Sequence, residues 1–232
     1  ELTKKNIEYI LKDEENRIDP RFRITPYFKS AIKFWFSIYT QYGSNHVVIH
    51  DTNNLNLIYN VIDYSELYAH KGIHRFSKSN LKNQLTKEYI KRLKKIIKRI
   101  STLPARKLSK EEDDILNTIK TAYTKKELSQ KGFYNKLINN IRTQTGQRNS
   151  ITYGISSFEN YKPFIYKYID VFRLPKEIMA ISFLESSFNL KAHSKVDAVG
   201  IWQFMPFIGN LFMPKKDTFT DYRRNPAIST LA

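Results

Sequence analysis

The sequence predicts a mainly α-helical protein that carries one small β-hairpin. Apolar residues recur at helical spacing in several segments, helix start signals precede some of them, and the stretch near 46–62 has the composition of paired strands. With 232 residues and 41% hydrophobic content, the chain is large enough to bury a core. We expect a helical N-terminal region over 1–150 and a second domain over 151–232.

Two helix start signals stand out in the N-terminal region. Thr25 and Pro26 form an N-cap followed by proline at the first helical position, and Ser109 and Glu112 form a capping box. Both satisfy or avoid backbone N–H groups that the first turn of a helix leaves without partners. A further apolar pattern predicts a helix over 132–141.

The β-hairpin is predicted from two short runs of β-branched and aromatic residues, 47–49 and 55–62. The connection between them, 51–54, has the sequence Asp-Thr-Asn-Asn. Because Asn and Asp tolerate the backbone angles of tight turns, we expect these two runs to pair as antiparallel strands.

A long basic helix is predicted over 81–101. Its apolar face comprises Leu85, Tyr89, Leu93, Ile96, Ile97 and Ile100. Lysine and arginine fill most of the remaining surface, and the whole chain has a formal net charge of +17. Nucleic-acid binding, binding to an anionic membrane, and a simply solvated helix face are all compatible with this pattern. The narrow apolar stripe favours the solvated face, since it already accounts for the helix.

The composition limits the chemistry that we expect. The chain has no cysteine, so it has no disulfide and no thiol nucleophile. His70 and His74 lie four residues apart, but Gly72 weakens a helix between them and no third ligand is near, so we expect neither a metal nor a cofactor.

No run is long and apolar enough for a membrane span, and no export signal is recognised. Because the chain begins at Glu1 rather than Met, we expect a processed or excised product.

The stretch with the clearest chemical content is 174–206, which has Glu185 at its centre. The carboxylate follows an apolar helical pattern made by Ile178, Ile181, Phe183 and Leu184. Burial among such residues disfavours the ionised form of a carboxylate and raises its pKa. We therefore predict a partly desolvated Glu185 that donates a proton near neutral pH, as a general acid on a glycosidic bond does.

Several motifs in this part of the chain resemble the catalytic core of lytic transglycosylases, which have a fold like that of goose-type lysozyme. They are Leu174 and Pro175, Glu185 and Ser186, Ser194, the heptapeptide 200–206 (Gly-Ile-Trp-Gln-Phe-Met-Pro), the hexapeptide 221–226 (Asp-Tyr-Arg-Arg-Asn-Pro), and Ser229 with Thr230. The order and spacing of these motifs are more specific than any one of them. The resemblance extends loosely before residue 140 and closely after 172.

The resemblance implies an enzyme that cleaves the β-1,4 bond between N-acetylmuramic acid and N-acetylglucosamine in peptidoglycan, in the periplasm or cell envelope. Glu185 would act first as acid and then as base. The implied substrate-binding residues are Ser186, Ser194, Gln203, Phe204 and Met205. For Ser186 the role is to bond the substrate or to orient the acid, and Gln203 is equally compatible with a buried structural role. The implied partners are glycan strands, with cell-envelope proteins and a peripheral membrane contact as further candidates and no nucleic acid.

Some features depart from the family pattern. Asp197 replaces a small residue, so it could raise the pKa of Glu185, distort its loop, or serve as a second carboxylate. Ile208 and Asn210 also differ from the usual residues. The chain ends at Ala232, where the family continues with further helices, so we expect an incomplete lysozyme-like domain. The alternatives are a non-catalytic peptidoglycan-binding or scaffold protein and, on charge alone, a nucleic-acid-binding protein.

Overall fold

A computed structural model describes residues 2–102 and 107–232. These residues form two compact units. The sheet unit comprises residues 26–148, and the C-terminal unit comprises 149–232 together with the described residues up to Thr25. Residues 2–25 therefore belong with the C-terminal unit, although the sequence analysis grouped them with the N-terminal region.

Most of the described chain is helical, and the prediction of a mainly α fold with a small sheet is confirmed. The helices are α1 (Leu2–Lys12), α2 (Lys29–Thr40), α3 (Ser65–Ala69), α4 (Arg75–Ile100), α5 (Lys110–Ala122), α6 (Lys125–Leu128), α7 (Phe133–Asn140), α8 (Arg148–Phe158), α9 (Lys162–Val171), α10 (Ala180–Ser186), α11 (Pro206–Phe212) and α12 (Pro226–Leu231). The strands are β1 (His46–Asp51), β2 (Ile58–Asp63) and β3 (Ile141–Thr145). No described helix is long and apolar enough to cross a membrane.

The predicted hairpin is present as the antiparallel pair β1 and β2, in which His46 lies opposite Asp63. The structure adds a third strand that the sequence analysis did not predict. β3 pairs antiparallel with the free edge of β1, with Val47 opposite Thr145, which gives the sheet order β2-β1-β3. The segment 141–145 is short and mostly polar, so its strand character depends on this distant partner rather than on its own pattern.

The core of the sheet unit lies between the sheet and the helices that pack on it. α4 contributes Leu93, Ile96, Ile97 and Ile100, all buried, as the sequence predicted. The prediction that Leu85 belongs to the buried face is wrong, because its side chain is 41% exposed. α4 also begins at Arg75, several residues before the predicted start. The Nδ1 atom of His74 caps it by accepting a hydrogen bond from the N–H of Phe76 at 3.3 Å.

Two buried tyrosines in this core differ in how their hydroxyls are satisfied. Tyr64 pairs with Thr86 at 2.9 Å, whereas the hydroxyl of Tyr59 has no partner among the described residues, and neither has Oδ2 of Asp51. Burial is the main cause that raises the pKa of Tyr59, and the Asp51 carboxylate adds to it. Tyr59 therefore holds a neutral, desolvated hydroxyl that gains no protein hydrogen bond in return.

We expect Tyr59→Phe to stabilise the sheet unit by about 1 kcal/mol, because it removes a buried hydroxyl without a partner. The matched change Tyr64→Phe should cost about 1 kcal/mol, since it removes a hydrogen bond that is made. Hydrogen exchange of the α4 amides, read by mass spectrometry, measures both effects. A loss of stability in Tyr59→Phe would contradict the prediction and point to a bound water on that hydroxyl.

The core of the C-terminal unit is built from α8, α9 and the segment around α10. Its fully packed members are Phe158, Ile165, Ile169, Phe188 and Ile201. α10 ends after seven residues because Ser187 and Phe188 both adopt left-handed backbone angles, with φ of 52° and 54°. This turn directs Phe188 back into the core, where its ring packs edge-on against Phe183 at 4.7 Å. The contact between Phe183 and Phe188 therefore fixes the C-terminal end of α10 against the core of this unit.

Candidate functional site

Glu185 lies on α10 and its side chain is exposed. The predicted desolvation is wrong, since Ile181 and Leu184 are 49% and 64% exposed. Residues 181, 184 and 185 are spaced i, i+3 and i+4, so they share one face of the helix, and that face is the outer one. Within the described part of the chain the carboxylate has no hydrogen-bond or ion-pair partner. Its oxygens are therefore available to a ligand.

The opposite face of α10 carries Ser182 and Ser186, which are also four residues apart. Both hydroxyls donate to the backbone carbonyl of Ile201, each at 2.8 Å. Ser182 is fully buried. These two bonds and the partial burial of Phe183 decide which side of α10 faces inward. Ser186 therefore anchors the helix to the following loop in this structure, and the sequence analysis missed Ser182, whose signal was its spacing from Ser186.

The loop after α10, residues 193–205, is held by its own side chains. The hydroxyl of Ser194 accepts from the N–H groups of Val196 and Ala198, at 3.3 and 2.9 Å. The amide of Gln203 donates to the carbonyl of Gly200 at 2.8 Å. The predicted ligand groups of Ser194 and Gln203 thus have partners inside the loop.

The remaining predicted site residues lie at the end of this loop. Phe204 is half-buried, and its backbone carbonyl accepts from the guanidinium of Arg223 at 3.0 Å. Met205 is 40% exposed and precedes α11. Of the predicted set, only Glu185 and Met205 present exposed side chains to solvent.

Arg223 is the buried centre of the loop structure, and the sequence analysis assigned it no role. Its guanidinium makes a two-point contact with the Asp221 carboxylate, at 2.9 and 2.7 Å, and also donates to the carbonyls of Asp197 and Phe204. The hydrogen bonds from Arg223 are the main cause that holds the pKa of Asp221 below its usual value. Because acceptor atoms from three separate segments meet at one guanidinium, this side chain fixes the loop in place.

Two glycines make room for Arg223. A Cβ atom on Gly200 would lie 2.2 Å from the Arg223 carbonyl oxygen, and one on Gly209 would lie 2.6 Å from Arg223 Cδ. Gly200 also has a φ of +77°, which disfavours any side chain. Gly200 of the 200–206 motif and Arg223 of the 221–226 motif therefore pack directly against each other.

Asp197, the main departure from the family pattern, has defined partners. Its carboxylate bonds to Nε2 of His193 at 2.7 Å and lies 3.5 Å from the guanidinium of Arg223. The bond to His193 is the main cause that lowers the pKa of Asp197, and the charge of Arg223 adds to it. The side chain is thus part of the loop's own ion-pair network.

An apolar groove of about 450 Å³ lies elsewhere in the C-terminal unit. It is lined by Ile165, Tyr168, Ile169, Phe172, Leu174, Ile178, Trp202, Thr230, Leu231 and Ala232. The indole N–H of Trp202 donates to the hydroxyl of Thr230 at 2.8 Å, which joins the 200–206 motif to the 229–230 motif. None of the six predicted site residues lines this groove, so it is separate from the Glu185 surface.

The titratable groups of the described residues give no metal centre. Within residues 2–102 and 107–232 no three His, Asp or Glu side chains are grouped so as to hold a metal ion. At α10 this unit offers the exposed carboxylate of Glu185 beside a loop that is held by its own hydrogen bonds.

The C-terminal unit is thus a helical unit in which α10, the helix that carries Glu185, is hydrogen-bonded to the loop 193–205. That loop is hydrogen-bonded in turn to the buried Arg223. Residues 172–232 match the family model described as the transglycosylase SLT domain. The match covers about a quarter of the chain and supports a lytic transglycosylase domain in this part of it. It includes Glu185, Gly200 and Arg223. No curated protein and no solved structure matches the chain.

Proposed function

We propose that this chain is a lytic transglycosylase that cleaves the β-1,4 bond between N-acetylmuramic acid and N-acetylglucosamine and leaves a 1,6-anhydro end. The observation that carries the proposal is that Glu185, the carboxylate at the motif position for the acid, is exposed and unpaired inside the segment that matches the SLT domain. Within the family, the motifs resemble those of membrane-bound lytic murein transglycosylase D. Peptidoglycan strands in the cell envelope are the proposed substrate.

One carboxyl group is enough for this reaction. Glu185 in its acid form gives its proton to the glycosidic oxygen, and the bond from that oxygen to C1 of the muramic acid breaks. The resulting carboxylate then takes the proton of the C6 hydroxyl as that oxygen bonds to C1. The proton count of Glu185 is restored, and no water is consumed. Hydrolysis would instead need a second carboxylate at about 5 to 9.5 Å.

The other named side chains have supporting roles in this proposal. Ser182 and Ser186 set the orientation of α10 through Ile201, so they act on the acid through position rather than by touching substrate. Met205 has the exposure needed to contact a sugar ring. Ser194, Gln203 and Phe204 shape the loop beside which the glycan would lie.

A second candidate is a non-catalytic peptidoglycan-binding or scaffold protein. The exposure of Glu185 favours it, because an acid that works near neutral pH is usually raised in pKa by burial. A glycan strand that covers the outer face of α10 would supply that burial, and the first candidate therefore requires the acid to be desolvated by the substrate itself.

The two candidates differ in the effect of Glu185→Gln on purified peptidoglycan. We expect the unmodified chain to release anhydro-muropeptides, detected by mass spectrometry, and Glu185→Gln to reduce the rate at least about 100-fold, since the proton donor is lost. Glu159→Gln is the matched control. It makes the same chemical change at an exposed position just after α8 in the same unit, where the carboxylate pairs with Lys162, and should keep full activity.

Other products or no product would lead to different conclusions. Reducing ends in place of anhydro ends would show hydrolysis and contradict the proposed reaction. Binding of sacculi by the unmodified chain and by Glu185→Gln alike, with no product from either, would favour the binding or scaffold function.

A further inference from the structure

A lysine stripe runs along the outer face of α4 in the sheet unit. It consists of Lys87, Lys91, Lys94, Lys95 and Lys98, all exposed. At about 100° per residue these five positions fall within an arc of about 100° of the helix surface, and they extend over about 16 Å. Five like charges therefore lie on the same side of one helix.

The lysine stripe differs from four other basic residues of α4 in having no partners among the described residues. Lys78 and Lys82 donate to backbone carbonyls, and Arg92 and Arg99 pair with carboxylates of α5. None of the five stripe lysines makes a hydrogen bond or ion pair within residues 2–102 and 107–232. Glu88, the one acidic residue of α4, is bonded by Gln84. The positive charge of the stripe is left for an external partner.

Two features lie in line with the lysine stripe toward the start of α4. Phe76 is 70% exposed, and its position on the helix falls within about 20° of Lys87. Between them is a shallow polar depression of about 380 Å³, lined by Asn80, Asn83, Gln84, Lys87, Glu88 and Lys91. One helix face thus presents an apolar ring, amide groups and five ammonium groups in a row.

We propose that this face of α4 docks on the surface of an anionic phospholipid bilayer. The five lysines lie within one arc of the outer surface of α4, so their long side chains can approach a plane at once, where each contributes about fivefold to partitioning. Phe76 can enter the interface between headgroups and acyl chains, as exposed aromatic residues of surface-binding helices do. A single polymer strand fits the face less well, because such strands are held in grooves with several stacking aromatics.

α4 belongs to the sheet unit and Glu185 to the C-terminal unit, so membrane docking by α4 does not depend on catalysis by Glu185. The test is binding of the full chain to phosphatidylcholine vesicles with and without phosphatidylglycerol. We expect binding only to the anionic vesicles, with affinity that falls as salt is added. Replacement of all five stripe lysines by glutamine should weaken it at least about 100-fold.

The matched control replaces five exposed lysines from α5 to α7 and their connections, Lys110, Lys120, Lys125, Lys131 and Lys136, by glutamine. It removes the same number of charges from the formal +17 and should weaken binding no more than about threefold if the stripe is the contact. Phe76→Ser, which removes only the apolar ring, should weaken vesicle binding about tenfold. Circular dichroism of each variant checks that α4 remains folded.

Three results would overturn the proposal. The first is absence of binding by the unmodified chain to anionic vesicles. The second is equal weakening in the two five-lysine variants, which would show a diffuse charge effect. The third is stripe-dependent binding of a single-stranded oligonucleotide under conditions in which vesicles are not bound, which would assign the stripe to a soluble polyanion.

Discussion

Gly200→Ala is expected to destabilise the C-terminal unit by at least about 3 kcal/mol. The substitution places a Cβ atom 2.2 Å from the Arg223 carbonyl oxygen, and backbone atoms cannot move aside as a flexible side chain can. It also imposes a left-handed backbone on an alanine, which costs about 1 to 2 kcal/mol by itself. Because Gly200 lies beside Ile201, the strain should also loosen α10.

Gly132→Ala separates the two costs of this substitution. Gly132 has nearly the same φ, +78°, but nothing lies within 4 Å of an added Cβ atom. The Gly132→Ala variant should lose only about 1 to 2 kcal/mol of unfolding free energy, from the backbone conformation alone. Hydrogen exchange of α10 amides for Gly200→Ala, and of α7 amides for Gly132→Ala, gives both values. Equal losses would show that the close contact with Arg223 is not the main cost.

Arg223→Met is the second change with a large expected effect, a loss of about 3 to 5 kcal/mol from the C-terminal unit. Methionine fills part of the volume of the arginine stem, but it removes the guanidinium donor from the Asp221 carboxylate and from two backbone carbonyls. Urea unfolding followed by Trp202 fluorescence measures the loss. Trp35, which lies in the sheet unit, is replaced by phenylalanine in that background so that only Trp202 reports.

The neighbouring change Arg224→Met is the control for Arg223→Met. It removes the same charge from the next residue, whose side chain has no partner among the described residues, and should alter stability by no more than about 0.5 kcal/mol. If both variants lost the same stability, net charge rather than the buried contacts of Arg223 would be responsible.

The unmodified chain and Arg223→Met should also differ in how their free energy of unfolding changes at acidic pH. The folded-state pKa of Asp221 lies below its usual value near 3.8, so the unfolded state binds that proton more readily. The stability that Arg223 gives through Asp221 is present above that usual value and is lost as the pH falls through the lowered one. The unfolding free energy of Arg223→Met should therefore depend less on pH in this range than that of the unmodified chain.

Several local features of this protein could be predicted from the sequence alone. The hairpin strands, the capping box of α5 and the buried face of α4 beyond Leu85 follow from residue types at fixed spacing, which is a property of neighbouring residues. The motif order between 174 and 230 also indicated the segment that matches the SLT domain. It named Glu185 as the acid, and this remains a prediction.

The tertiary structure decided which faces those local elements bury. The apolar residues beside Glu185 predicted a desolvated carboxylate, but two serine hydroxyls that bond to Ile201 turn that face of α10 outward. The strand β3 exists because a distant edge of β1 was free, and Arg223 acquired its role because three segments placed acceptors around it. Spacing in the sequence fixes which residues share a face, whereas contacts between distant segments fix whether that face meets the core or the solvent.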